Sequence, residues 1–316
     1  MAQRLGYAVE AIKYEYLSYC ISRGSVLDAR NRQQLKHAQN IIYYMVEGPQ
    51  QGPAENLETF GILVALLRLN PKVTIVVHDR LFQIYTEALL IHGCSYQSII
   101  KFSDSGTLCD LRLNIATRLN STILKYLLVD SVADIAAARK VGIKVKSKTK
   151  EFFRSTLDLP SIGITWSSSA KGKAKLPLEI WESLVASFRA HFVILQFLPK
   201  ETDIQKLRLK AQISNSKIVD RRLSVPSGCL RDFAEEIQHL DLVVGSSSTV
   251  MRLAGAMNVK SILIDDGKFN RQWAVGENQE PWYPSIEKIS VERASKRPQE
   301  FAHFVSDLLS ANSSVG

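Results

Sequence analysis

Short apolar runs alternate with segments of helical spacing along most of this chain. Residues 8–39 open it with Ala11, Tyr14, Leu17 and Ile21 near helical spacing; Gly24 interrupts that helix and a second helical stretch runs to about Ala38. Residues 41–46 (IIYYMV) then read as a strand, 47–53 (EGPQQGP) as a loop and 56–69 as a mostly apolar helix. Residues 73–77 (VTIVV) read as a buried strand, 81–90 as a helix and 98–102 as a short strand. After Asp158, Leu159 and Pro160 the alternation resumes. Residues 162–166 (IGITW) and 192–197 (FVILQF) are strands flanking a helix over 178–190, and 217–219 is a further short strand. Residues 240–244 form a strand, Gly245 and Ser246 to Ser248 a turn, Val250, Leu253, Ala254 and Met257 a helix, and 261–264 a strand. A terminal helix over 298–309 closes the pattern.

Strands separated by helices favour parallel sheets, because a parallel pair needs a crossover that a helix fills. The pattern therefore predicts an α/β protein. Its parts are an N-terminal helical extension (1–39), a first Rossmann-like domain (40–158) and a second (159–316), the two domains facing a cleft. Strand carboxyl ends would face ligand there.

With 46% hydrophobic residues the 316-residue chain can bury a substantial core. No apolar run approaches the roughly 20 residues of a membrane-spanning helix, and residues 1–7 lack the apolar stretch of a secretory signal. Cys20, Cys94, Cys109 and Cys229 form no CxxC pair and suit reduced thiols. These features point to a cytoplasmic protein, with peripheral association at a membrane surface left open. The six histidines lie in no metal-ligand spacing, so no metal is expected. The net charge is +9, and Arg139, Lys140, Lys144, Lys146, Lys148 and Lys150 form a basic run. Such a run can attract anionic partners, but it reads first as a solvated segment. No aromatic residue interleaves the lysines, which disfavours nucleic acid as a partner.

The 240–264 stretch carries the most chemistry. A strand leading through Gly and Ser into a helix leaves free backbone N–H groups at the helix N-terminus, where a diphosphate is stabilised by those donors and the helix dipole. The same stretch continues as Leu253, Ala254, Gly255 and Ala256, and later as Pro281, Trp282, Tyr283, Pro284 and Ser285. Together with IGITW and the string from Lys175 to Trp181, this ordered set resembles the donor domain of glycosyltransferases of the B fold. That group includes bacterial heptosyltransferases and the transferase domains attached to tetratricopeptide-repeat arrays. The resemblance covers about residues 160–290 well and 40–115 more loosely.

The resemblance implies two Rossmann-like domains, with the nucleotide-sugar held by the second. Ser247 and Ser248 stand where the family has Asp-Thr, and Arg252 stands where it has His. Ser248 keeps a hydroxyl at the helix start, and Arg252 is a permanent cation that could face a diphosphate. The donor set is then Ser247, Ser248, Thr249, Arg252 and the loop lysines Lys173 and Lys175, with Gln196 a candidate for base or ribose. Against this stands ordinary N-capping, which Ser and Thr perform at many helix starts. In the first domain Gly52, Pro53, Ala54 and Glu55 match a loop whose Asp is the family's base, so Glu55 is the candidate general base. Trp282 and Tyr283 are expected to be chiefly structural.

The function implied is a metal-independent, inverting transfer of a sugar from a nucleoside-diphosphate donor to a hydroxyl acceptor. The nucleotide-sugar is a co-substrate and no cofactor is implied. The acceptor is a saccharide, lipid-linked or protein hydroxyl, and residues 8–38 offer a surface for a protein partner. The substituted motif positions raise an alternative, a non-catalytic scaffold or interaction subunit of the same fold.

Overall fold

The computed structural model describes residues 41–44, 57, 59–101, 103, 117–120, 128–129, 132–147, 159–167, 176–220, 230–265 and 283–313. The N-terminal helical extension, Glu55, Lys173 and Lys175 lie outside these residues, as do Trp273 and Trp282. The chain divides into two compact units, Met1–Val145 and Lys146–Gly316. The joint expected near residue 158 lies outside the described residues.

The first unit holds a parallel four-stranded sheet. Its strands are β1 (Ile41–Tyr44), β2 (Val73–Val77), β3 (Ser98–Lys101) and β4 (Thr117–Asn120), in the order β3-β2-β1-β4. All five residues of β2 are buried, as an apolar run covered on both faces should be. Helices α1 (Phe60–Leu69), α2 (Phe82–Ile91) and α3 (Val132–Arg139) belong to this unit. Phe60 meets the edge of the Tyr85 ring with centroids 5.3 Å apart. Gly61 lets α1 and α3 approach closely, since a Cβ there would sit 2.1 Å from the Ala138 carbonyl oxygen. The sequence pattern missed α3, whose alanine-rich segment carries little apolar periodicity, and β4, a largely polar edge strand.

The second unit holds a parallel six-stranded sheet of β5 (Ser161–Thr165), β6 (His191–Ile194), β7 (Lys217–Asp220), β8 (Leu242–Ser246), β9 (Ser261–Asp265) and β10 (Ile286–Ser290). The order is β10-β9-β8-β5-β6-β7. Read from its own first strand, this is the 3-2-1-4-5-6 order of a Rossmann sheet, and the first unit reproduces its 3-2-1-4 portion. Helices α4 (Leu178–Ser187), α5 (Glu201–Ala211), α6 (Leu230–Ile237), α7 (Thr249–Ala256), α8 (Val291–Lys296) and α9 (Pro298–Ser313) complete the unit. Its core gathers Trp181, Phe192, Ile164, Val244, Ile262 and Phe301. Each such side chain, fully buried, contributes roughly 1.5–3 kcal/mol of apolar transfer.

Boundaries differ from the pattern where side chains compete with the ladder. β8 runs on through Gly245 to Ser246, so the turn starts at Ser247, because Gly245 and Ser246 pair with β9. β6 stops at Ile194, so Gln196 lies beyond the strand that was expected to contain it. Of the basic run, Lys148 and Lys150 lie outside the described residues; Arg139 ends α3, and Lys144 and Lys146 lie in an extended segment. There Ile143 and Val145 are buried while Lys144 and Lys146 are exposed, which is the alternation of a solvated segment packed on one face.

Candidate functional site at the second sheet's switch point

β5 and β8 are neighbours in the sheet but not in sequence. The chain leaves them towards opposite sides, and the crevice at their carboxyl ends is where open α/β sheets bind ligands. Thr165, Trp166 and Ser167 end β5; Ser246, Ser247 and Ser248 end β8. Thr165 pairs across the ladder with Gly245. A Cβ at Gly245 would fall 2.4 Å from Thr165 Cγ2 and 2.7 Å from Met251 Sδ, so glycine is what lets α7 close down on the strand.

Ser248 is the N-cap of α7, with extended backbone (φ −149°, ψ 169°), and its Oγ accepts from the Met251 N–H at 3.4 Å. The capping role is therefore real. It engages one of the helix's first N–H groups; those of Thr249 and Val250 project beyond the helix end with no intrahelical acceptor. Ser246 differs. It is 4% exposed and its Oγ has no hydrogen-bond partner. An orphaned buried hydroxyl costs about 1–3 kcal/mol, and Trp181 Nε1 and Ser285 Oγ share that state elsewhere in the unit. Arg252 lies one turn inside α7 and is also buried. Ser247 and Thr249 are half-buried.

Gln196 joins the same edge from β6. Its Oε1 accepts from Thr165 Oγ1 at 3.2 Å, Trp166 N at 2.9 Å and Ser167 N at 2.8 Å, and its Nε2 donates to the Phe197 carbonyl at 3.0 Å. The amide oxygen is thus committed to holding the end of β5. Only the second Nε2 hydrogen is left for a ligand. Sequence reasoning saw a polar residue at a strand end; the threefold clamp depends on β5 and β6 being neighbours.

Of the predicted donor set, Gln196 follows β6, Ser247 and Ser248 follow β8, and Thr249 and Arg252 lie in the first turn or so of α7. Tyr283 is buried against Gly255, where a Cβ would fall 2.6 Å from its ring, in keeping with a structural role. Asp265, at the end of β9, pairs with Lys288 of β10 at 3.5 Å. Among the described residues no cluster of three or more His, Cys, Asp or Glu could hold a metal ion, and no helix is long and apolar enough to cross a membrane.

In the first unit, polar groups gather at the ends of β2 and β3. His78 Nδ1 accepts from the Arg80 N–H at 3.2 Å, and Asp79 Oδ1 accepts from the Ser103 N–H at 3.0 Å. Burial, reinforced by Arg80, lowers the His78 pKa against the opposing pull of Asp79. Burial pushes the Asp79 carboxyl up, but hydrogen bonds from Ser103, with His78 and Lys101, outweigh it and hold the group below its ordinary value.

The second sheet, with its switch point between β5 and β8, is an open doubly wound α/β sheet of Rossmann order. Solved structures refine that class. The chain shares its fold with a family 9 glycosyl transferase from Veillonella parvula, with 11% identity, a TM-score of 0.55, and 88% of this chain and 99% of that one covered. It also shares it with the E. coli ADP-heptose LPS heptosyltransferase II, with 10% identity, a TM-score of 0.59, and 87% and 100% covered. These are glycosyltransferases of the kind the sequence resembles. No family model matches the chain. Protein FlbA of Caulobacter vibrioides is 27% identical over 134 residues, which is 40% of this chain; the match spans about a fifth (21%) of that relative's length.

Proposed function

We propose that this protein is a glycosyltransferase that moves a sugar from a nucleoside-diphosphate donor to a hydroxyl acceptor, with inversion and without a metal. The carrying observation is the orphaned Ser246 hydroxyl beside the Ser248-capped start of α7, at a Rossmann switch point. A diphosphate there would accept from the Ser246 hydroxyl and from the open N–H groups of α7, with Arg252 and a loop lysine, Lys173 or Lys175, opposing its charge. The solved relative named for ADP-heptose supports a nucleotide-sugar as the donor class. The acceptor hydroxyl attacks the anomeric carbon. Its proton passes to the Glu55 carboxylate, while the bond to the diphosphate breaks and the electron pair leaves with the nucleotide. The acceptor is a saccharide, lipid-linked or protein hydroxyl, and residues 8–38 are the surface assigned to a protein partner. We place the reaction in the cytoplasm, at or near a membrane surface.

The test is calorimetric binding of ADP, UDP, GDP and CDP, with Mg²⁺ or with EDTA. One nucleotide should bind equally well in both conditions. Ser246→Val should weaken it about tenfold while leaving the fold intact, because valine fills the site without an orphaned hydroxyl. Glu55→Gln should then abolish turnover and spare binding. Failure of every nucleotide to bind well-folded protein would overturn the reading and favour a scaffold.

A further inference from the structure

Three residues other than glycine have positive φ among the described residues: Leu198 at 46°, Asn215 at 54° and Asn258 at 58°. The two asparagines follow the ends of α5 and α7, where a left-handed Asn is an ordinary helix terminator. Leu198 has no such explanation. It follows no helix, its side chain is branched, and Pro199 comes next, which disfavours helical backbone in the residue before it. A strained residue of this kind persists where its surroundings over-determine it, and such residues gather at ligand sites. Here the surroundings are visible. Gln196 is fixed to the end of β5 by three accepted hydrogen bonds and grips the Phe197 carbonyl by a fourth. The result is two adjacent apolar side chains turned out of the core, Phe197 41% and Leu198 76% exposed. They stand at the carboxyl edge of the sheet, one strand from β5 and two from β8. Two strand spacings are about 10 Å, a reach comparable with that from a diphosphate to its base.

We propose that Phe197 and Leu198 are the platform for the base of the nucleoside diphosphate, held out by the Gln196 clamp. This rests on the donor-site reading and adds the residues that bind its apolar end. The flat ring of Phe197 offers a stacking face, and Leu198 extends the apolar surface beside it.

Calorimetry with ADP, UDP, GDP and CDP, and separately with inorganic pyrophosphate, tests it on wild type, Phe197→Ala and Leu198→Gly. The nucleotide that wild type binds tightest should weaken about tenfold in each variant, while pyrophosphate affinity stays the same. Leu198→Gly should also melt a few degrees higher, because glycine accepts the left-handed backbone, so its weaker binding cannot be unfolding. Unchanged nucleotide affinity in both variants overturns the platform and leaves the diphosphate site standing. A parallel loss of pyrophosphate also overturns it, since the step would then shape the phosphate end. No binding of pyrophosphate or nucleotide by wild type defeats the donor site, and the platform with it.

Discussion

In the first unit, β2 and β3 end in groups that satisfy one another. Asp79 takes the Ser103 N–H, His78 takes the Arg80 N–H, and Lys101 lies over the Phe82 ring at 5.5 Å. In the second unit, β5 is held by Gln196 and α7 is capped by Ser248, yet Ser246 keeps a buried hydroxyl with nothing to bond. Both sheets share the 3-2-1-4 strand order. The strand order is common to both; among the described residues, the strand-end polar groups of the first unit are paired and Ser246 of the second is not.

That contrast can be broken by mutations that act on one unit at a time. All four tryptophans, Trp166, Trp181, Trp273 and Trp282, fall in the second unit, so their fluorescence reports its unfolding alone. The largest effect should come from Arg231→Ala. Arg231 is 2% exposed, pairs with Glu235 and donates to the Lys146 carbonyl at the start of the unit. Its removal breaks a buried ion pair and should cost about 3–5 kcal/mol. The tryptophan transition in urea should shift by that amount, while hydrogen exchange in α1 and α3 should not change. An equal loss of protection in α1 and α3 would show that the two units unfold together.

Gly61→Ala and Gly255→Ala sharpen the comparison, since each overpacks a helix in a different unit. At Gly61 the added Cβ meets backbone, the Ala138 oxygen at 2.1 Å; at Gly255 it meets side chains, Tyr283 Cγ at 2.6 Å and Ile286 Cδ1 at 2.7 Å. Overpacking costs about 1–3 kcal/mol, and the helical preference for Ala over Gly offsets up to about 1 kcal/mol of it. Gly61→Ala should therefore be the more harmful, because a helix backbone cannot rotate away as side chains can. It should appear as faster exchange in α1 and α3 with an unchanged tryptophan transition, and Gly255→Ala as the reverse.

The smallest effect is a shared pH dependence. Burial lowers the pKa of His78 in the first unit and of His191 in the second, with help from Arg80 and from Lys217. The unfolded chain then binds a proton more readily than the folded one. Neither histidine costs stability at high pH; as pH falls below about 6.5 both units lose stability, until the folded imidazoles also protonate. Urea midpoints from pH 8 to 5 should decline, with His78→Gln flattening the curve for the first unit and His191→Gln that for the second.

Strands buried throughout were legible in the sequence. VTIVV of β2 is buried at every position, as are β5 and β8, and an apolar run covered on both faces announces itself. β4 and β10 are edge strands with polar residues, TRLN and IEKIS, and gave no such signal. The serine-rich turn before α7 was equally legible, because a helix start needs a capping oxygen and Ser248 supplies it. Whether that turn does more than cap was not legible.

The sequence by itself determined the alternation of strands and helices, the polarity of the turn after β8 and the set of residues that could meet a diphosphate. These follow from periodicity and capping, which are local. Tertiary structure decided that β5 lies between β6 and β8, and so gave Gln196 three donors to hold. It likewise buried Ser246 without a partner and turned Phe197 and Leu198 outward on a strained step. Each of these depends on which strands become neighbours, and neighbours distant in sequence are fixed by burial of the whole sheet.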